Sequence, residues 1–237
     1  MTRRVPASVL IFLATWIPYL VIGVYLVSEV QLFFGDALSR VQSAQSVLFS
    51  RTPHLAAIGF IFTPLTAIVQ LPLTALTPWI PEMTTQALSA VIMSSAFMAG
   101  SVVQASGIAR DQGLRPLVAG TFTIFYAINP MIVLYAANGM SEAPYLFFLA
   151  WATRRLIRWV SSDDVHELVV AGIALGLSYF TRYDGGAAAL AAAFVVGWVT
   201  YTRRDRRKRV SRTLLDITLG VAPSALAFLA WAAAGWL

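Results

Sequence analysis

Apolar runs recur through this sequence, several of them roughly 20 residues long, and that length of helix crosses a hydrocarbon core of about 30 Å. They fall at 6–27, 85–108, 116–136, 143–159, 168–180, 185–201 and 214–237. This pattern predicts an all-α, polytopic transmembrane helical bundle of about seven spans. Composition agrees: 58% of the residues are hydrophobic and 12% charged, against about 25% charged in soluble domains. Arg3 and Arg4 precede the first run as they would in a signal peptide. That run exceeds an ordinary h-region, however, and no small-residue cleavage site follows, so it is read as a retained span.

One further apolar stretch, 63–80, is punctuated by Pro64, Pro72, Pro78 and Pro81. Prolines break or kink helices, which favours a re-entrant or interfacial segment there over an eighth span. The positive-inside rule tests the choice. With a cytoplasmic N-terminus and no crossing at 63–80, fourteen of the seventeen basic residues lie on the cytoplasmic side. Only Arg40, Arg51 and Arg182 lie outside. A crossing at 63–80 would flip every later loop and erase the asymmetry. The expectation is therefore a multi-pass protein of the plasma membrane, built as a single transmembrane module over 1–237. Its long first outer loop, about 30–84, contains interfacial helices.

The net charge of +6 does not point to nucleic acid, because the arginines sit in loops between apolar runs and not on one soluble face. The basic run at 203–209 reads as a topology anchor touching anionic lipid. With no cysteine and two histidines, His54 and His166, predicted on opposite sides, thiolate and histidine-based metal sites are not expected.

Chemistry is sought on the outer side, where Glu29, Asp36, Glu82, Glu142 and Asp184 gather with Arg40, Arg51, Arg182 and His54. From Asp36 onward, Ala37, Val41, Ala44 and Leu48 form an apolar stripe at helical spacing, with Arg40 largely away from it. Such a helix is expected to lie in the membrane interface with its apolar face down. Asp36 reads either as its N-cap or as a carboxylate held at the surface as a general base. The apolar run at 168–180 is only about 20 Å long as helix, and Thr181-Arg182-Tyr183-Asp184-Gly185-Gly186 follows it. Glu142 and Arg154 are about 18 Å apart along a helix. Both lengths draw Glu142, Arg182 and Asp184 below the outer surface, where ionisable groups are costly unless they line a polar cavity. Simple pairing of Arg182 with Asp184 is the structural alternative.

These pieces resemble the C-type (GT-C) glycosyltransferase superfamily, and within it the family 39-like enzymes that use polyprenyl-phosphate sugars. The residues that carry the resemblance are Gly35-Asp36 opening the first outer loop and Pro53-His54-Leu55-Ala56-Ala57-Ile58-Gly59 before the proline-rich stretch. Asn138-Gly139-Met140-Ser141-Glu142 then leads a span, and Leu177-Ser178-Tyr179-Phe180-Thr181-Arg182-Tyr183-Asp184 closes one. The resemblance implies sugar transfer at the outer face from a polyprenyl-phosphate donor to an acceptor, with Asp36 in the position of the catalytic base. Glu142 stands at the family's second acidic position. Arg182, then Arg40 or Arg51, would stabilise the departing phosphate, and Asp184 and His54 join the substrate-binding set. Some members use a divalent cation and others do not, so no cofactor is assigned. Family members usually have more spans, so the chain reads as the N-terminal part of a longer protein. The other classes considered are a lipid or solute transporter or flippase and a non-catalytic membrane partner subunit.

Overall fold

A computed structural model describes residues 6–203 and 209–235. Among these residues there are eleven α-helices, one 3-10 turn and no strand. Arg3, Arg4 and residues 204–208 of the basic run lie outside the described residues. The chain divides into two compact units, Met1–Phe147 and Phe148–Leu237; the division falls within one helix.

In the first unit, α1 (Ala7–Ser28) packs on α5 (Leu88–Asp111), and both are long and apolar enough to cross a membrane. They run antiparallel. Gly23, near the end of α1, leaves room only for Val91 and Ala137, whereas Ser8, Val9 and Phe12 line a cleft with Gly100, Val103 and Gln104. The connection between the two helices therefore leaves and returns at the same end of the pair. It is largely helical: α2 (Gly35–Phe49), a 3-10 turn (Leu55–Ile58), α3 (Leu65–Thr74) and α4 (Glu82–Thr85).

The apolar run at 116–136 is not one straight helix. It forms α6 (Pro116–Ala127) and α7 (Pro130–Ala137), bent by 56°. Pro130 has no N–H and biases the residue before it towards extended backbone; Asn129 accordingly sits at φ −57°, ψ 129°. Its side-chain oxygen accepts from the Met131 N–H at 3.0 Å, capping α7. The break is braced from α1, where the Tyr19 hydroxyl donates to the Ala127 carbonyl at 2.7 Å.

The helix α8 (Glu142–Ser162) begins in the first unit and ends in the second, where α9 (Val165–Thr181), α10 (Gly185–Arg203) and α11 (Arg209–Ala234) follow. Here the helices meet through glycine. A Cβ on Gly172 would lie 2.5 Å from the Gly220 carbonyl oxygen, and one on Gly176 would lie 3.0 Å from that of Pro223. Such contacts let helix backbones approach closely. The α8 arginines also find partners: Arg155 donates to Glu167 at 2.9 Å, and Arg158 stands 3.7 Å from it.

Four helices qualify as spans by length and apolar composition: α1, α5, α10 and α11. The bent α6–α7 pair makes a fifth. The two remaining segments of the expected seven fall short for separate reasons. Helix α8 has 21 residues but carries Glu142, Arg154, Arg155 and Arg158, and α9 has only 17 residues.

Candidate functional site

Asp36 lies at the second position of α2, behind Phe34 as N-cap and Gly35 as first residue, so it is not the cap. It still stands in the first turn, where the helix dipole favours a carboxylate. Its side chain is exposed, at 53% of its maximum, whereas Arg40 one turn later keeps only 5%. The expected placement of Arg40 on the polar side is therefore wrong. Arg40 is buried because its charge is provided for: Nη1 donates to the Asp36 carbonyl at 3.1 Å and lies 3.9 Å from the Asp36 carboxylate. The guanidinium sits 4.5 Å from the centre of the Phe62 ring, a cation–π contact.

The stripe of α2 is also used differently from the expectation. Ala37 and Val41 do not lie on lipid; they form a core cluster with Ala87 and Ala90 at the start of α5, joined by Phe34 and Met140. Met140 comes from the Asn138–Glu142 motif, so packing brings that motif to the base of α2. Gly139 has φ +73°, and a Cβ there would come 2.8 Å from the Ala90 Cβ and 3.4 Å from the Ala37 Cβ. Its N–H donates to the Ser94 hydroxyl at 3.1 Å, which donates to the Ala136 carbonyl at 2.7 Å. Asn138 accepts from the Met140 N–H at 3.0 Å. The turn is thus held at both ends, and Glu142, half-buried, opens α8 directly after it. The neighbour of Asp36 and the turn before Glu142 share one corner of the first unit.

His54 is exposed and hydrogen-bonds through Nδ1 to the Thr52 carbonyl, within its own loop. Arg182 and Asp184 belong to the second unit. Arg182 Nε donates to Asp184 at 2.9 Å, with Arg182 30% and Asp184 62% exposed. The α9–α10 turn that holds them is tight: a Cβ on Gly185 would lie 2.4 Å from the Tyr179 backbone nitrogen. Aromatic rings surround the pair's turn. Tyr183 meets Tyr179 edge to face at 6.0 Å, Tyr179 lies 5.7 Å from Phe228, and Trp231 Nε1 donates to the Tyr183 hydroxyl at 3.4 Å.

Two elements were not singled out by the sequence. Phe62 lacks any motif signal; its position over Arg40 depends on the path of the loop. The buried acid Asp216 accepts from Thr200 at 3.0 Å between α11 and α10, and only its place inside an apolar run marked it. Among the described residues, no three His, Asp or Glu side chains gather as a metal-binding group.

Comparison with protein-family models, curated proteins and solved structures finds no match to this chain.

Proposed function

We propose that this chain is a module of a membrane glycosyltransferase that takes sugar from a polyprenyl-phosphate donor at the outer face of the plasma membrane. In this reading α8 and α9 also cross, giving seven spans with the N-terminus in the cytoplasm. The observation that carries the proposal is the corner of the first unit: an exposed Asp36 backed by buried Arg40, with the turn before Glu142 packed on its neighbour Ala37. Asp36 and the Asn138–Glu142 turn are two of the pieces on which the family resemblance rests, and they are far apart in sequence.

Asp36 takes the proton from an acceptor hydroxyl or amine as that atom attacks the anomeric carbon. The bond from that carbon to the phosphate oxygen breaks, and its electron pair leaves with polyprenyl phosphate. Configuration at the anomeric carbon inverts. Arg40 holds Asp36 in place and supplies positive charge near the developing phosphate. No step is routed through a metal ion.

The test is transfer from radiolabelled polyprenyl-phosphate sugars in vesicles, with Asp36→Asn as the matched variant. Loss of transfer by a factor of about 10²–10⁴ is expected if the carboxylate is the general base. Unchanged transfer removes Asp36 from that role.

A second reading has one observation in its favour. The break between α6 and α7 falls near the middle of a segment long enough to span, and discontinuous helices mark substrate sites in transporters. Uptake of a labelled lipid or solute that survives Asp36→Asn but not straightening of the break by Pro130→Ala would select it.

A further inference from the structure

The α3 helix is inside out. Its buried face is mostly polar: Thr66, Gln70 and Thr74 are each 1% exposed or less, with Ala67 its one apolar member, and Thr63 just ahead of the helix is buried too. Gln70 accepts from Ser89 at 3.2 Å and donates to the Thr66 carbonyl at 3.0 Å. The hydroxyls of Thr66 and Thr74 are buried without a hydrogen-bond partner, so hydrogen bonding alone does not explain why this face turns inward. The outward face is apolar: Ile68 and Pro72, continued past the helix end by Ala75 and Leu76, are all exposed. Helices that meet water show the reverse arrangement.

The turn after α3 carries a second, independent sign. The N–H groups of Ala75, Leu76, Thr77, Trp79 and Ile80 all donate to carbonyls of residues Leu71 to Leu76, at 2.9–3.0 Å. Pro78 and Pro81 have no N–H to satisfy. Closing every backbone donor internally is what a segment must do where there is no water. No Asp, Glu, Lys or Arg occurs from Leu55 to Pro81, and Trp79 is 78% exposed. Tryptophan is favoured where hydrocarbon meets headgroups.

We propose that α3 and its following turn are seated in the hydrocarbon layer as a re-entrant segment, with Ile68, Pro72 and Leu76 on lipid acyl chains. The length fits. Ten residues make about 15 Å of helix, half of a core of about 30 Å. The antiparallel packing of α1 and α5 requires the connection to return to the side it left. Phe62, just ahead of α3, stacks on Arg40, so the depth of the inserted segment sets the height of Arg40 and Asp36. This inference rests on the membrane character of the chain and not on glycosyl transfer.

The chain has no cysteine, so single cysteines at Ile68, Leu76 and Thr52 can each carry a nitroxide label in lipid vesicles. Collision rates with oxygen, which concentrates in hydrocarbon, are compared with those of a water-soluble nickel complex. Labels at 68 and 76 should favour oxygen severalfold over nickel, and the label at 52 should show the opposite. Nickel access at 68 and 76 equal to that at 52 would overturn the proposal. So would low access to both reagents with spin–spin broadening between copies, since a second chain would then cover the face. Positions 68 and 76 are separate variants, so misfolding of one leaves the other to decide. Because the readout is depth and not turnover, its outcome is independent of the Asp36→Asn transfer assay.

Discussion

The two units use the same kinds of contact in different proportion. Side chains also bridge the second, as at Thr200 to Asp216 and Ser224 to the Gly172 carbonyl, and Gly23 of the first faces the Ala137 carbonyl. The closest glycine-to-backbone contacts, however, belong to the second. In the second, glycines face backbone: Gly172 against the Gly220 carbonyl, Gly176 against that of Pro223, Gly185 against the Tyr179 nitrogen. Nothing at these contacts can rotate away. In the first, helices are broken, bent and bridged by side chains, as at Tyr19 to Ala127, Ser94 to Ala136 and Ser89 to Gln70. A bundle locked by backbone contacts makes a rigid frame, whereas one braced by side chains can carry irregular loops at a reacting surface. The candidate base lies in the second kind of structure. An alanine series at glycines of both units measures whether this contrast is real.

The largest loss is expected at Gly172→Ala and Gly185→Ala. Each places a methyl 2.5 Å or less from backbone atoms of a packed helix, so helices must separate. Overpacking of this kind costs about 3 kcal/mol at the upper end of its usual range, read as a lowered midpoint of thermal unfolding in detergent. Little change in either variant would break the comparison, because the second unit would then be yielding as well.

Gly139→Ala should come next, at about 1–2 kcal/mol, combining the strain of a positive φ with a contact to Ala90. It should also reduce transfer even where the protein remains folded, since the turn leads to Glu142 and lies against Ala37. A variant with full transfer and lowered stability would separate the turn from the site. Tyr19→Phe removes one hydrogen bond to the Ala127 carbonyl and is expected to cost about 1 kcal/mol. If the break between α6 and α7 serves a transport pathway, this variant should change uptake more than stability.

The sequence shows the helices well and their partners poorly. The apolar runs locate α1, α5, α10 and α11 to within a few residues, because a bilayer-length run admits few other structures. The break between α6 and α7 falls at Asn129-Pro130, a dipeptide that biases the chain out of the helix, inside a run that is apolar on either side. Periodicity shows the α2 stripe as a face yet cannot say what covers it; over Ala37 and Val41 it is Ala87 and Ala90. Arg40 was misplaced for a related reason. One of its partners, Phe62, lies 22 positions along the chain and reaches it only through the loop's path. Likewise, proline content suggested that 63–80 is special, but only the burial of Thr66, Gln70 and Thr74 reveals which way it faces.

The smallest effect in the series is expected at Gly100→Ala in the first unit, although the raw contact looks severe. A Cβ there would meet two ring carbons of Phe147 at 2.8 and 2.9 Å, and no backbone atom outside its own helix lies among its near neighbours. The ring borders an open, apolar cleft of about 290 Å³ lined by Ser8, Val9, Phe12, Val103 and Gln104, so it has room to swing aside. Replacing glycine inside α5 also removes a helix-propensity penalty of up to about 1 kcal/mol. The two effects oppose each other, and the unfolding free energy should stay within about 0.5 kcal/mol of the parent, as for substitutions that strike no rigid feature. The same methyl against a ring in one unit and against a carbonyl in the other would then differ by about 2–3 kcal/mol. Equal losses at Gly100 and Gly172 would mean that Phe147 is as fixed as the Gly220 backbone, and the first unit would have to be counted as rigid too.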